Sequence, residues 1–163
     1  MKTAASLLFC YAATTERRAE GIWAMSFAGI NHLAVVLAAA ASFIFGGIWY
    51  GILANQWMAA AGVRPEDLKS SGGPVVAPYL ITFVALSIMA YMLAGTIGHL
   101  GAGQVTLRNG LVSGAFIWGG FVMTSLIVNH AFQGQRKALT LIDGGHWLGV
   151  LLVQGAVIGW MGV

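Results

Sequence analysis

The chain has 163 residues, of which 58% are hydrophobic and only 8% charged, with a formal net charge of +3. A soluble domain carries about 25% charged residues, and one this short has too little interior for so many apolar side chains. That excludes an ordinary soluble domain, and the dispersed charge, with no basic stripe, argues against a nucleic-acid surface.

The first residues differ from the rest. Lys2 followed by Ala4–Ala13 has the short apolar core of a signal peptide. Leu7-Leu8-Phe9-Cys10 is close to a lipoprotein cleavage site, although Phe9 is bulky for the position before the cysteine. Thr14–Glu20 is polar, and Met25 opens a segment that leads into the first apolar block. The reading is a single four-span domain over 25–163, starting at Met25. Residues 1–24 are then a poorly ordered or wrongly assigned extension, with a short interfacial arm as the alternative. The single cysteine, Cys10, has no partner for an internal disulfide.

Four apolar blocks follow: Ile30–Leu53, Val75–Ile97, Leu111–Phe132 and Leu139–Val163. About 20 helical residues cross the hydrocarbon core, so each block predicts one span. The fold class is all-α, an integral membrane four-helix bundle in contact with the lipid bilayer. Four spans return the chain to the face it started from.

Asn31 and His32 begin the first block, and Trp49-Tyr50 ends it, with Trp57 just beyond. Gly62 reads as a helix stop, and Pro65–Lys69 as a short helix with proline first and acids in its first turn. Ser70–Pro74 is a breaker, and Pro78-Tyr79 opens the second span on the same face as Trp57. Aromatic residues there fit an interfacial belt, or the wall of a pocket beneath Asp143. His99, Arg108 and Asn109 lie on the opposite face with His32.

Loop charge bears on orientation, because basic residues mark the cytoplasmic side. From Met25 onward, Arg108 is alone on the face of the termini, against Arg64, Lys69, Arg136 and Lys137 on the other. This predicts a multi-pass membrane protein with both termini outside. Counting Lys2, Arg17 and Arg18 balances the two faces.

Of the chain's 23 glycines, many sit inside the apolar blocks. Gly47/Gly51, Gly110/Gly114, Gly145/Gly149 and Gly155/Gly159 repeat the GxxxG spacing that lets helix backbones approach. They predict tight packing within the chain or a homo-oligomer. In the third span Gly110, Ser113, Gly114, Phe121, Thr124, Ser125 and Val128 share one stripe. In the fourth, Gly145, Gly149, Leu152, Ala156 and Gly159 share one side, and Asp143, Trp147, Val150, Gln154 and Val157 the other. A lipid-facing helix has no use for Asp143 and Gln154, so both sides are expected to meet protein.

The candidate polar site is Asn129, His130, Asp143, His146 and Gln154. Asn129-His130 closes the third span, and Asp143 with His146 opens the fourth, one helical turn apart. The group suits either a proton- or cation-linked path or a structural clamp between two helices. No nucleophile–base pair, phosphate loop, cofactor motif or zinc-ligand spacing is present in the sequence, so no enzyme activity is assigned.

Two stretches resemble a known family. Ile30–Val35 with Phe45-Gly46-Gly47-Ile48-Trp49-Tyr50, and later Asn129–Gly134 with Leu141–Trp147, are similar to a bacterial membrane family catalogued as domain of unknown function 1761. The resemblance runs from about Ile30 to Trp160. It implies four spans in the bacterial cytoplasmic (inner) membrane and supplies no substrate, cofactor or catalytic residue. A tyrosine commonly stands there at the position of His146, so the resemblance assigns no essential role to imidazole.

Two functional readings follow. One is a structural or accessory protein that self-associates through its glycine faces. The other is a small oligomeric transporter, or proton- or cation-conducting protein, using the Asp143/His146/Gln154 face. Neither names the small molecule or ion it would take.

Overall fold

A computed structural model describes residues 29–64, 66 and 76–162. In chain order its helices are α1 (His32–Ile52), α2 (Ala54–Ala61), α3 (Val76–Gly98), α4 (Leu107–Ile117), α5 (Met123–Phe132) and α6 (Lys137–Met161). A single π-turn, Trp118–Val122, joins α4 to α5, so Leu107–Phe132 is one continuous span. Among the described residues four helices are long and apolar enough to cross a membrane. The expected extension 1–24 lies outside the described residues, as does all but Glu66 of the expected helix Pro65–Lys69.

Local chemistry explains the ends. The Asn31 side chain accepts a hydrogen bond from Ala34 N at 3.1 Å and caps α1. Thr106 does the same for Asn109 N at 3.3 Å, so the third span starts at Leu107 rather than Leu111. The early turn carries Arg108 and Asn109, whose polarity hid it from a search for apolar runs. Gly62, at φ 70°, stops α2 in the left-handed conformation that glycine adopts most cheaply.

α6 is the central helix and touches every other one. It runs antiparallel to α1 and to α4. Against α4 the backbones meet at glycine: a Cβ on Gly110 would strike the carbonyl of Gly155, and one on Gly159 the carbonyl of Thr106. A Cβ on Gly114 would lie 2.7 Å from Leu151 O. Such approach maximises van der Waals contact where lipid supplies no hydrophobic drive.

The predicted stripe of the third span does not survive the π-turn. Gly110 and Gly114 are buried, whereas Phe121, Thr124, Ser125 and Val128 are exposed. A π-turn inserts an extra residue, and each residue rotates the helix face by about 100°. Residues beyond it therefore turn towards lipid. Thr124 satisfies its hydroxyl locally, donating to Gly120 O at 2.9 Å.

Candidate functional site

The face of α6 built by Asp143, His146, Val150 and Gln154 meets α1 in antiparallel pairs. Tyr50 stands opposite Asp143, Gly46 opposite His146, and Ser42 opposite Gln154. Between them Trp49 and Phe45 lie over Gly145 and Gly149, which have room for the rings because they have no side chains.

At the outer end, Tyr50 donates its hydroxyl to Asp143 Oδ1 at 2.9 Å, and Trp57 Nε1 donates to the same oxygen at 3.2 Å. Both donors are neutral. Two more indoles clamp the α6 backbone: Trp49 Nε1 donates to Ile142 O at 3.2 Å and Trp118 Nε1 to Gly144 O at 2.7 Å. This turn of α6 is thus held from α1, α2 and the third span together.

One turn deeper, the His146 ring lies 4.6 Å from the Tyr50 ring and 5.0 Å from Trp147, centroid to centroid. It is only 8% exposed, and its Nδ1 has no hydrogen-bond partner among the described residues. Its Nε2 faces Gly46, where a Cβ would come within 2.9 Å. Deeper still, Gln154 is fully buried. Its Nε2 donates to Ser42 Oγ and to Leu86 O, each at 3.0 Å, while its Oε1 has no partner among the described residues. Ser42 donates its own hydroxyl hydrogen bond to Ala39 O at 3.0 Å. Buried polar atoms in native proteins are nearly always paired, so the two unpartnered atoms single this seam out.

Beside the seam runs a crevice. An inner cavity of about 540 Å³ is walled by Ser42, Gly46 and Gly47 of α1, Thr82 and Leu86 of α3, and His146 of α6, among others. An outer cavity of about 540 Å³ lies between α1, α2 and α3. Tyr50, Tyr79 and Thr82 line both.

The other expected site residues lie apart. His130 Nδ1 is hydrogen-bonded to Thr140 Oγ1 at 2.9 Å, and Asn129 is exposed. Neither shares the hydrogen bonds of Asp143. His32 stacks on Tyr91 with ring centroids 6.2 Å apart, and His99 Nδ1 donates to Gly95 O at 2.7 Å. Of the eight glycines expected to pack helices, Gly110, Gly114, Gly145, Gly149, Gly155 and Gly159 face other helices of the same chain. Gly47 and Gly51 face open space.

Ser42 and Trp118 were not anticipated. Ser42 is a single hydroxyl midway along an apolar span, and Trp118 an indole far from either interface. Both were visible as polar groups at membrane depth, where a partner is obligatory.

No curated protein and no solved structure matches the chain. A family model described as protein of unknown function (DUF1761) matches residues 33–159. The two motif stretches and the four spans thus agree with a match over most of the chain, which belongs to the DUF1761 family.

Proposed function

We propose that this membrane protein binds a small amphipathic molecule within the bilayer, in the crevice between α1, α3 and α6. One observation carries the reading: His146, nine-tenths buried and with an unpartnered ring nitrogen, stands on the wall of an inner cavity of about 540 Å³. Ligand pockets are typically cavities of about this size, mostly apolar, with a few polar groups that fix orientation. Ser42, Thr82 and His146 supply such groups, and Phe43, Tyr79 and Trp147 the apolar wall. A helix rises about 1.5 Å per residue, so the inner cavity reaches about 12 Å below Tyr50, towards the midplane. An occupant of that length has one end near the headgroups and the other among the tails.

This favours the transporter-like reading over the purely structural one. Of the eight glycines at GxxxG spacing, Gly47 and Gly51 stay uncommitted, as do Gly119 and Gly120 at the π-turn, and Gly47 opens on the crevice rather than on a flat face. We place the Asp143 end on the cytoplasmic side of the inner membrane, because the loops there carry Arg64, Lys69, Arg136 and Lys137.

The test is photo-crosslinking in reconstituted bilayers with a diazirine-tagged fatty alcohol, mapped by mass spectrometry. Labels are expected on α1, α3 and α6 around the inner cavity. Gly47→Phe fills that cavity without meeting a neighbour at its Cβ, so it should abolish labelling and leave thermal stability unchanged. Labelling spread evenly over lipid-facing residues such as Phe116 and Trp160, and unaffected by Gly47→Phe, would falsify the reading.

A further inference from the structure

The outer cavity has a chemistry of its own. Tyr50, Trp57 and Tyr79 contribute aromatic rings to its wall, and Met58 a thioether. The Tyr50 and Trp57 rings meet at 80° with centroids 6.1 Å apart, forming two walls of a corner. Both rings donate to one carboxylate oxygen, Asp143 Oδ1. Donation to an anion pushes electron density back into each ring and strengthens its negative face, the surface that attracts cations. Because both donors are neutral, these bonds leave the charge of the carboxylate uncancelled. Both end on Oδ1, so neither occupies Oδ2. Among the described residues no lysine or arginine lines either cavity. An anionic head would find a carboxylate behind the wall and, among the described residues, no basic side chain on it.

We propose that the outer cavity selects an ammonium head, primary or quaternary, whose apolar tail occupies the inner cavity. This inference rests on the preceding reading, that an amphiphile fills the crevice. The ammonium sits in the corner of Tyr50 and Trp57 with Tyr79 across from it, and Asp143 supplies the longer-range attraction. Thr82, which lines both cavities, marks the junction of head and tail. The head is that of an aminolipid or of a free lipophilic amine; the chemistry at the protein is the same.

The experiment uses the full chain in maltoside micelles and two probes, dodecyltrimethylammonium and its neutral isostere with carbon in place of nitrogen. Equilibrium dialysis measures both. The cation is expected to bind about tenfold more tightly, as one cation–aromatic contact gives. In Asp143→Asn and in Trp57→Leu the preference, read as the ratio of the two affinities within each variant, should fall below about threefold. Trp57→Leu keeps the Asp143 carboxylate and its bond from Tyr50, and serves if Asp143→Asn does not fold. Equal binding of both probes by the unaltered protein overturns the ammonium head and leaves the amphiphile reading standing. Binding of neither overturns both. Native mass spectrometry of protein taken from mixed bilayers identifies the source. Retained phosphatidylethanolamine points to a lipid head, and no retained lipid beside a bound probe points to a free amine. Selective retention of phosphatidylglycerol overturns the proposal.

Discussion

Tyr50 on α1 and Asp143 on α6 are 93 residues apart in sequence and joined by a 2.9 Å hydrogen bond near one end of the bundle. Trp57 of α2 reaches the same oxygen, so one carboxylate ties three helices together. Hydrogen bonds to charged acceptors are about twice as strong as neutral ones. Tyr50→Phe removes one donor and keeps the ring against His146. We expect a loss of about 1–2 kcal/mol, measured by reversible unfolding in mixed micelles. Tyr50→Phe with Trp57→Phe should cost more than the two separate losses, because the carboxylate is then stranded. Strict additivity would show that other groups solvate Asp143.

The α4–α6 contact gives the largest expected effects. Gly110→Ala and Gly155→Ala each push a methyl group into the opposite backbone carbonyl, and neither backbone can rotate aside. Each should lower stability by about 3 kcal/mol or more, at the upper end for overpacking. Gly51→Ala meets nothing within 4 Å and should change stability by less than about 0.5 kcal/mol. Similar melting temperatures for all three would mean the helices do not pack through these glycines.

Gln154 makes a prediction against intuition. It is buried and hydrogen-bonded, yet its Oε1 is unpartnered and Ser42 keeps its own bond to Ala39 O without it. A neutral hydrogen bond contributes only about 1 kcal/mol net, and the cost of the orphaned Oε1 offsets part of what the two bonds give. Gln154→Leu should therefore stay within about 1 kcal/mol of the parent. Gln154→Glu places a carboxylate among apolar neighbours and should cost several times more. A loss above about 2 kcal/mol for Gln154→Leu would mean the amide has a partner that the protein chain does not supply.

Arg136 Nη1 donates to Ala59 O at 2.7 Å and so holds the last turn of α2 against the loop before α6. A cation at a helix C-terminus is favourable, although exposed pairs contribute little. Arg136→Ala should leave global stability within about 0.5 kcal/mol. It should also speed hydrogen exchange at the amides of α2. Unchanged exchange over 57–61 would show that α2 is held by Trp57 alone.

Orientation is testable with single cysteines in a Cys10→Ala background. Gln104 and Gln133 lie on loops at opposite ends of the bundle. An impermeant maleimide added to intact cells should label position 104 and spare position 133. The reverse pattern would place the basic loops outside.

Much of the fold was legible in the sequence. Four runs of about twenty apolar residues fix the number of spans, because hydrocarbon admits no unsatisfied backbone. Asn31 and Gly62 mark helix ends by local hydrogen bonding and backbone freedom, and the Gly-Gly-x-Trp-Tyr ending of the first span pointed to the family. Leu107 was missed, because a polar first turn looks like loop when only apolarity is counted. The stripe of the third span failed at Trp118–Val122, because no residue there announces a π-turn and the change of phase shows only in three dimensions.

The site divides in the same way. Sequence alone singled out Asp143, His146 and Gln154, because ionisable and amide side chains at membrane depth need partners. It also grouped them with Asn129 and His130, which share a membrane face with Asp143 but not its hydrogen bonds. Choosing Tyr50 and Trp57 for Asp143, Ser42 for Gln154, and no partner for His146 Nδ1 required the antiparallel register of α1 against α6. That register is set by rings lodged over glycines, a matter of shape between segments about a hundred residues apart. Composition and periodicity determine that this chain spans a membrane four times. Only tertiary packing decides which of its few polar groups are spent on one another and which are left facing a crevice.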